Sequence, residues 1–208
     1  MEITWLGHAA FRIKAKEGVV ITDPAAKSTG YSMGKPVADI VTVSCIDDEH
    51  GAVDLLGGAP LWLDAGGEYE LSGILITGVR TKRRAGGYNT IFVVEMEEIR
   101  VCHLGAIEHM PTAEEIEAIS EPDVLLVPAG GNGAFNGKEA AEVAALLNAH
   151  YVIPMRYKTE TATGDLEGIE GFLKATGQAS RGEPQPKLTI SKSSIPDELR
   201  VVVLDTKK

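Results

Sequence analysis

A chain of 208 residues can enclose one sizeable core, and its 44% hydrophobic and 24% charged content is ordinary for a soluble globular protein. A formal net charge of −10 argues against a general affinity for nucleic acid or anionic membrane. The two cysteines, Cys45 and Cys102, make no disulfide framework, no apolar run is long enough to cross a bilayer, and Met1-Glu2-Ile3-Thr4-Trp5 lacks the character of an export signal, so a cytoplasmic setting is expected.

The first hundred residues read as strands. Short β candidates at Ile3–Leu6, Ala10–Ile13 and Val19–Thr22 are separated by Gly and Lys/Glu turns. Ile40–Ser44, Leu61–Leu63, Tyr69–Leu71, Ile74–Val79, Thr90–Glu95 and Arg100–His103 follow, with turn chemistry at Asp64-Ala-Gly-Gly67. Thr112 then has the character of an N-cap, with Glu114, Glu115 and Glu117 placed where the helix dipole favours acids, which predicts a helix over Ala113–Ser120. Val124–Pro128 reads as a buried strand, Lys138–Ala149 as a helix rich in Ala, Glu and Leu, and Val152–Pro154 as a strand. A helix over Asp165–Thr176, stopped by Gly177, and strands over Lys187–Ser191 and Arg200–Leu204 complete the chain. The linker-like stretch Ala179–Pro186 is too short to separate domains, so a single domain over residues 1–208 with two β-rich layers and covering helices is expected.

The densest chemistry follows the Ile40–Ser44 strand, where Cys45, Asp47, Glu49 and His50 fall within six positions. Each can bind a divalent cation, although thiolate, carboxylate and imidazole prefer different metals. Strand ends that run into polar loops are where folds of this class build their sites.

Several segments, in order, carry a resemblance. They are Trp5-Leu-Gly-His-Ala-Ala-Phe11, Ile21-Thr-Asp-Pro24, Ala38-Asp-Ile-Val-Thr-Val-Ser44, Gly67-Glu-Tyr-Glu70, Asn89-Thr-Ile-Phe92, Val101-Cys-His-Leu-Gly105, Val124-Leu-Leu-Val-Pro128 and Val152-Ile-Pro-Met155. Together the chain resembles the metallo-β-lactamase fold superfamily, in its branch of short, stand-alone prokaryotic metal-dependent hydrolases. The resemblance implies an α/β fold of the αββα sandwich type, with the site along one edge of two sheets. It also implies a His-x-His-x-Asp-His loop after the Ile40–Ser44 strand, a later His, a bridging Asp and a last His, which together hold two zinc, iron or manganese ions. At those positions this chain has Cys45, Asp47, Glu49 and the retained His50, no His in Arg80-Thr-Lys-Arg-Arg-Ala-Gly-Gly87, Ala106 for the bridging Asp, and Arg156 for the last His. Ala has no donor atom, and a guanidinium has no lone pair to offer.

Two readings follow. In the first the dinuclear site is dismantled, no cofactor is bound, and the fold serves as a scaffold or binding domain. Arg156 and one of Lys82, Arg83 or Arg84 then stand in for metal cations beside Asp47 and Glu49, because a carboxylate cluster without countercharge is costly. In the second, Cys45, Asp47, Glu49 and His50 hold a single zinc, iron or manganese ion, with His103 or Glu108 joining, and support hydrolysis. A small anionic ligand in a pocket of Lys82, Arg83, Arg84, Arg156 and Lys158 is a further expectation, opposed by a simple solvated basic loop. The resemblance adds a homo-oligomer as an expected partner; nucleic acid and membrane are not expected.

Among the remaining candidates, His8 borders the site as a structural or outer-sphere residue. Asp23 is expected to anchor a loop through side-chain to backbone bonds, and His103 to be a buried, hydrogen-bonded histidine beside the old bridging position. His109 and His150 are expected at the surface, and Gly130-Gly-Asn-Gly133 as a loop that needs positive φ rather than as a phosphate loop. Cys45 as a reactive thiol finds no Cys–His spacing to support it.

Overall fold

The computed structural model describes every residue except 48, 85, 179–182 and 207–208. In chain order the strands are β1 Glu2–Gly7, β2 Ala10–Lys14, β3 Val19–Thr22, β4 Ile40–Thr42, β5 Leu61–Leu63, β6 Gly67–Leu71, β7 Ile74–Lys82, β8 Tyr88–Met96 and β9 Ile99–His103. They continue with α1 Ala113–Ile119, β10 Val124–Pro128, α2 Gly137–Leu146, β11 Tyr151–Met155, α3 Glu170–Ala175, β12 Leu188–Thr189 and β13 Arg200–Val201. The strands form two sheets, β12-β1-β2-β3-β4-β5 and β13-β11-β10-β9-β8-β7-β6.

The sequence pattern explains the two sheets. Alternation in β1 and β2 sends Ile3, Trp5, Phe11 and Ile13 into the core. The continuous apolar runs of β4, β10 and β11 are buried on both faces and pair in parallel, as such runs do. Trp5, Phe11, Phe92, Phe135 and Phe172 are the largest fully buried side chains, and all five belong to one cluster joining both sheets to α2 and α3. Helix α1 starts where the sequence placed it: the Thr112 hydroxyl accepts from Glu115 N while the Glu115 carboxylate accepts from Thr112 N. Asn136 and Glu139 form the same box at the head of α2.

Several elements depart from expectation: α2 ends at Leu146 rather than Ala149, and the last two strands shrink to Leu188–Thr189 and Arg200–Val201. The helix expected from Asp165 begins only at Glu170. Gly164 is left-handed at φ +83°, and Glu167 commits its backbone to Lys158 N and Gly130 O, which excludes helical bonding there. The strand expected over Ile74–Val79 runs on to Lys82 and pairs in register with β8 through Lys82 and Tyr88. What reads as a loop from Arg80 therefore begins only after Lys82, where Gly86 N bonds to Arg83 O and Arg83 N to Gly87 O. Of the linker-like stretch, residues 179–182 lie outside the described residues, and Gln185 bridges to Leu204.

The two sheets bring five strand ends to one edge: those of β1, β3, β4, β9 and β11. At three of these ends the residue directly beyond the strand is left-handed, His8 at φ +53°, Asp23 at +36° and Arg156 at +52°, and Gly105, two residues past β9, is left-handed at +62°. For residues other than glycine this conformation costs on the order of 1 kcal/mol each, and such strain gathers where a site must be held in place. At Gly105 the requirement is steric as well. An added Cβ would stand 2.3 Å from Asn89 Oδ1 and 2.4 Å from Ser44 Cβ.

Candidate metal centre

The loop after β4 is pinned from below. Asp23, fully buried, accepts from Ser44 N at 2.6 Å and from Ser44 Oγ at 2.5 Å. This is the anchoring role expected of it. Asp23 Oδ2 also lies 3.9 Å from His103 Nδ1. His103 is fully engaged elsewhere: Nε2 donates to Ala9 O at 2.9 Å and Nδ1 accepts from Gly105 N at 3.2 Å. Burial holds its pKa below the usual histidine range, so it is a neutral, structural imidazole and not a ligand.

Asp47 folds the rest of the loop. Its Oδ1 accepts from Glu49 N and His50 N, both at 2.9 Å, and lies 2.8 Å from His50 Nδ1. Cys45 Sγ stands 3.6 Å from the same Nδ1 and 3.4 Å from Asp47 Oδ2. Burial works against ionisation of Asp47, but His50 and the two amides outweigh it and leave the carboxyl far below its ordinary range. Burial likewise disfavours charge on His50, yet its bonds to Asp47 and Cys45 raise its pKa to about 10. The pairing of Cys45 with His50, which spacing in the sequence did not suggest, comes from this turn.

Glu49 turns the other way. His8 at 3.4 Å and Arg156 at 3.0 Å hold its pKa down at about 2. Burial keeps His8 itself below the usual histidine range, so the permanent cation beside Glu49 is Arg156. The Arg156 guanidinium is buried and also donates to Gly131 O at 3.1 Å and Asn132 O at 3.2 Å. The loop of Gly130–Gly133 therefore does need positive φ, at Gly131, Asn132 and Gly133, and it presents carbonyls to a guanidinium rather than amides to a phosphate. The rings of His8 and His50 lie 5.1 Å apart, and the Nε2 of each is buried without a hydrogen bond.

Two ligand sets thus share His50: His8, Glu49 and His50, and Cys45, Asp47 and His50, each with its donor atoms within 4.8 Å of one another. His8 enters a set rather than only bordering the site. The second set fits an ion better. Zinc–sulfur and zinc–nitrogen bonds of about 2.3 and 2.05 Å in a tetrahedron place donor atoms roughly 3.5 Å apart. Cys45 Sγ meets that spacing toward both partners, at 3.4 and 3.6 Å. The first set is already compensated by Arg156.

Other expected residues fall into place around these sets. Ala106 is buried with its amide on Asn89 Oδ1 at 2.8 Å and offers no side-chain donor. Asn89, not singled out in the sequence, also donates to Leu104 O and Thr81 Oγ1 and fixes the loop after β9; a polar residue at the buried start of a strand was its only signal. Glu108 does not join as a ligand: it accepts from Arg83 Nε at 3.0 Å and Arg84 N at 2.7 Å. Arg83 Nη1 reaches Asp47 Oδ2 at 3.5 Å. The five-cation pocket is not assembled, because Lys82 and Arg84 are exposed, Arg156 is spent on Glu49, and Lys158 Nζ caps Ala162 O and Gly164 O. His109 and His150 are half-buried rather than surface residues, with His109 Nδ1 donating to Met110 O.

The Arg83–Glu108 strap has a measurable signature. Burial raises the Glu108 pKa, but the Arg84 amide and Arg83 outweigh it and the net shift is downward. A depressed carboxyl stabilises the fold above its unfolded-state pKa and loses that contribution as pH falls through its folded value. Glu108→Gln is expected to cost about 1 kcal/mol at pH 7. The difference from wild type should shrink below about pH 4. Denaturant unfolding at both pH values checks this, and an equal loss at both would disprove the role of charge.

Comparison with known proteins agrees with the geometry. The profile of the beta-lactamase superfamily domain matches residues 2–156. A UPF0173 metal-dependent hydrolase of Methanoregula boonei is 30% identical over 207 residues, covering 86% of this chain and 93% of that protein. Among solved structures, a candidate Zn-dependent hydrolase of the metallo-β-lactamase superfamily from Thermotoga maritima superposes with a TM-score of 0.80 at 38% identity, covering 98% of both chains. The metallo hydrolase Igni18 of Ignicoccus hospitalis, at 20% identity and TM-score 0.60, shares the fold over 97% of this chain and 94% of its own. The αββα expectation agrees with these neighbours. The expectation of no bound ion does not sit well with relatives described as metal-dependent, nor with two ligand sets in the site. The chain belongs to the metallo-β-lactamase superfamily, among its stand-alone prokaryotic metal-dependent hydrolases.

Proposed function

We propose that the protein is a hydrolase that uses one divalent ion held by Cys45, Asp47 and His50, with the Arg156 guanidinium replacing the second ion that the family resemblance implies. The observation that carries this reading is the spacing of Cys45 Sγ from Asp47 and His50, 3.4 and 3.6 Å, which matches the separation of donors around one ion. An ion there supplies a Lewis acid and a water of lowered pKa. The chain's own residues do the rest. Asp23 and Ser44 hold the loop, and His50 gives up the proton it shares with Asp47 when it becomes a ligand. Arg156 neutralises Glu49 and repels a second cation. Arg83, partly exposed beside Asp47, stands where it can polarise a substrate oxygen.

The test is elemental analysis of protein prepared without chelator. One zinc, iron or manganese per chain is expected. Two ions, or a consistent absence after reloading, would overturn the reading.

A catalytically silent scaffold is the second reading. It is favoured by a specific feature: three carboxylates of the site already have a protein cation, Glu49 with Arg156, Asp47 with His50 and Glu108 with Arg83. Substoichiometric metal with full stability would favour it.

A further inference from the structure

We infer that the cleft of about 270 Å³ beside Cys45 is an oxyanion subsite, which takes a small substrate bearing a carboxylate or phosphate group. Cys45, Asp64, Arg80, Arg83, Gly87 and Tyr88 are among its lining residues. On a chain of net charge −10, this wall carries two guanidiniums against one carboxylate. Arg83 is held in place by Glu108 at 3.0 Å and Asp47 at 3.5 Å, and among the described residues its Nη2 makes no hydrogen bond. That leaves a held guanidinium on the cleft wall with one donor still unpartnered. Arg80 has no carboxylate partner among the described residues and is steadied by the Tyr88 ring, 4.6 Å below its Cζ. Guanidiniums fixed in this way are suited to planar or tetrahedral oxyanions. Gly86 and Gly87 at the tip leave the mouth open, with nothing within 4 Å of where a Cβ would stand. At roughly 30 Å³ per water-sized group, the cleft holds a small metabolite and not a polymer segment. Cys45 belongs both to this wall and to the ligand set, so an anion bound here lies beside the candidate centre. The assignment as a substrate subsite rests on the proposed function; the binding itself does not.

Calorimetric titration of the chelator-treated chain with inorganic phosphate, and separately with acetate, at constant ionic strength, tests the inference. One site of millimolar or tighter affinity is expected for at least one anion, and which of them binds identifies the substrate's group. Arg80→Gln is expected to weaken binding about tenfold. Arg80→Gln with Arg83→Gln should abolish it, while Lys82→Gln with Arg84→Gln should change it less than twofold. Arg80 is exposed and lies outside the ligand sets, so the single Arg80→Gln variant carries the test if the double variant fails to fold. No heat with either anion, or an equal loss in the Lys82/Arg84 variant, overturns the subsite. Because the protein is metal-free, anion binding without metal uptake would sink only the proposed function, and metal uptake without anion binding would sink only the subsite.

Discussion

A chain carrying Asp47→Ala and His50→Ala is expected to lose metal affinity by on the order of a thousandfold, beyond the 10–100-fold typical of losing one outer-sphere partner. His50 is common to both ligand sets, and Asp47 is its closest partner, 2.8 Å away. Competition against a chromogenic chelator measures the change. The same assay locates the ion. Glu49 lies outside the Cys45 set and already faces Arg156 at 3.0 Å, so Glu49→Gln should shift affinity less than threefold. If Glu49→Gln costs as much as His50→Ala alone, the ion sits between His8 and Glu49 instead, and Arg156 does not exclude it. Asp47 also builds the loop, so Asp47→Asn is the control for folding. It keeps an acceptor for Glu49 N and His50 N while weakening the ligand. An unchanged affinity in the double variant would remove Cys45, Asp47 and His50 from the centre.

The fold was open to sequence reasoning because its signals are local. Buried parallel strands such as Val124–Pro128 read as unbroken apolar runs, and Thr112 and Glu115 announce a helix start three residues apart. The fate of Asp165–Thr176 was hidden because a long-range bond from Glu167 to Gly130, 37 positions away, overrides local helix preference. The site was legible in position but not in pairing. Four donors in Cys45–His50 suggest one cluster, yet the turn made by Asp47 sends Glu49 toward His8 and Arg156 and leaves Cys45 with His50. No spacing rule encodes that split, since it arises from which backbone amides Asp47 happens to cap. The loop cations show the same limit. Lys82, Arg83 and Arg84 are one charge run in the sequence, but pairing of β7 with β8 turns only Arg83 inward, where Glu108 holds it.

Arg156→Met is expected to destabilise the protein by about 3 kcal/mol, close to the cost of breaking a buried ion pair and moderated by the partly solvated partner. Methionine preserves the aliphatic volume, so packing is not the cause. Lost are two bonds to Gly131 O and Asn132 O and the pair with Glu49, from a side chain only 5% exposed against a carboxylate 40% exposed. The two carbonyls belong to a left-handed loop with no alternative donor among the described residues, so water must take them over. For a chain of this size the loss corresponds to a fall in Tm of about 6–12 °C. Adding Glu49→Gln to Arg156→Met should recover about 1 kcal/mol, because the second change removes a charge left without its cation. Arg156→His tests the electrostatic half separately. It replaces a fixed positive charge with a neutral donor beside His8, Glu49 and His50, and metal content should rise from one ion per chain toward two. If Arg156→Met leaves Tm unchanged, or Arg156→His leaves metal content at one, the guanidinium neither holds this edge of the sheets together nor takes the place of an ion.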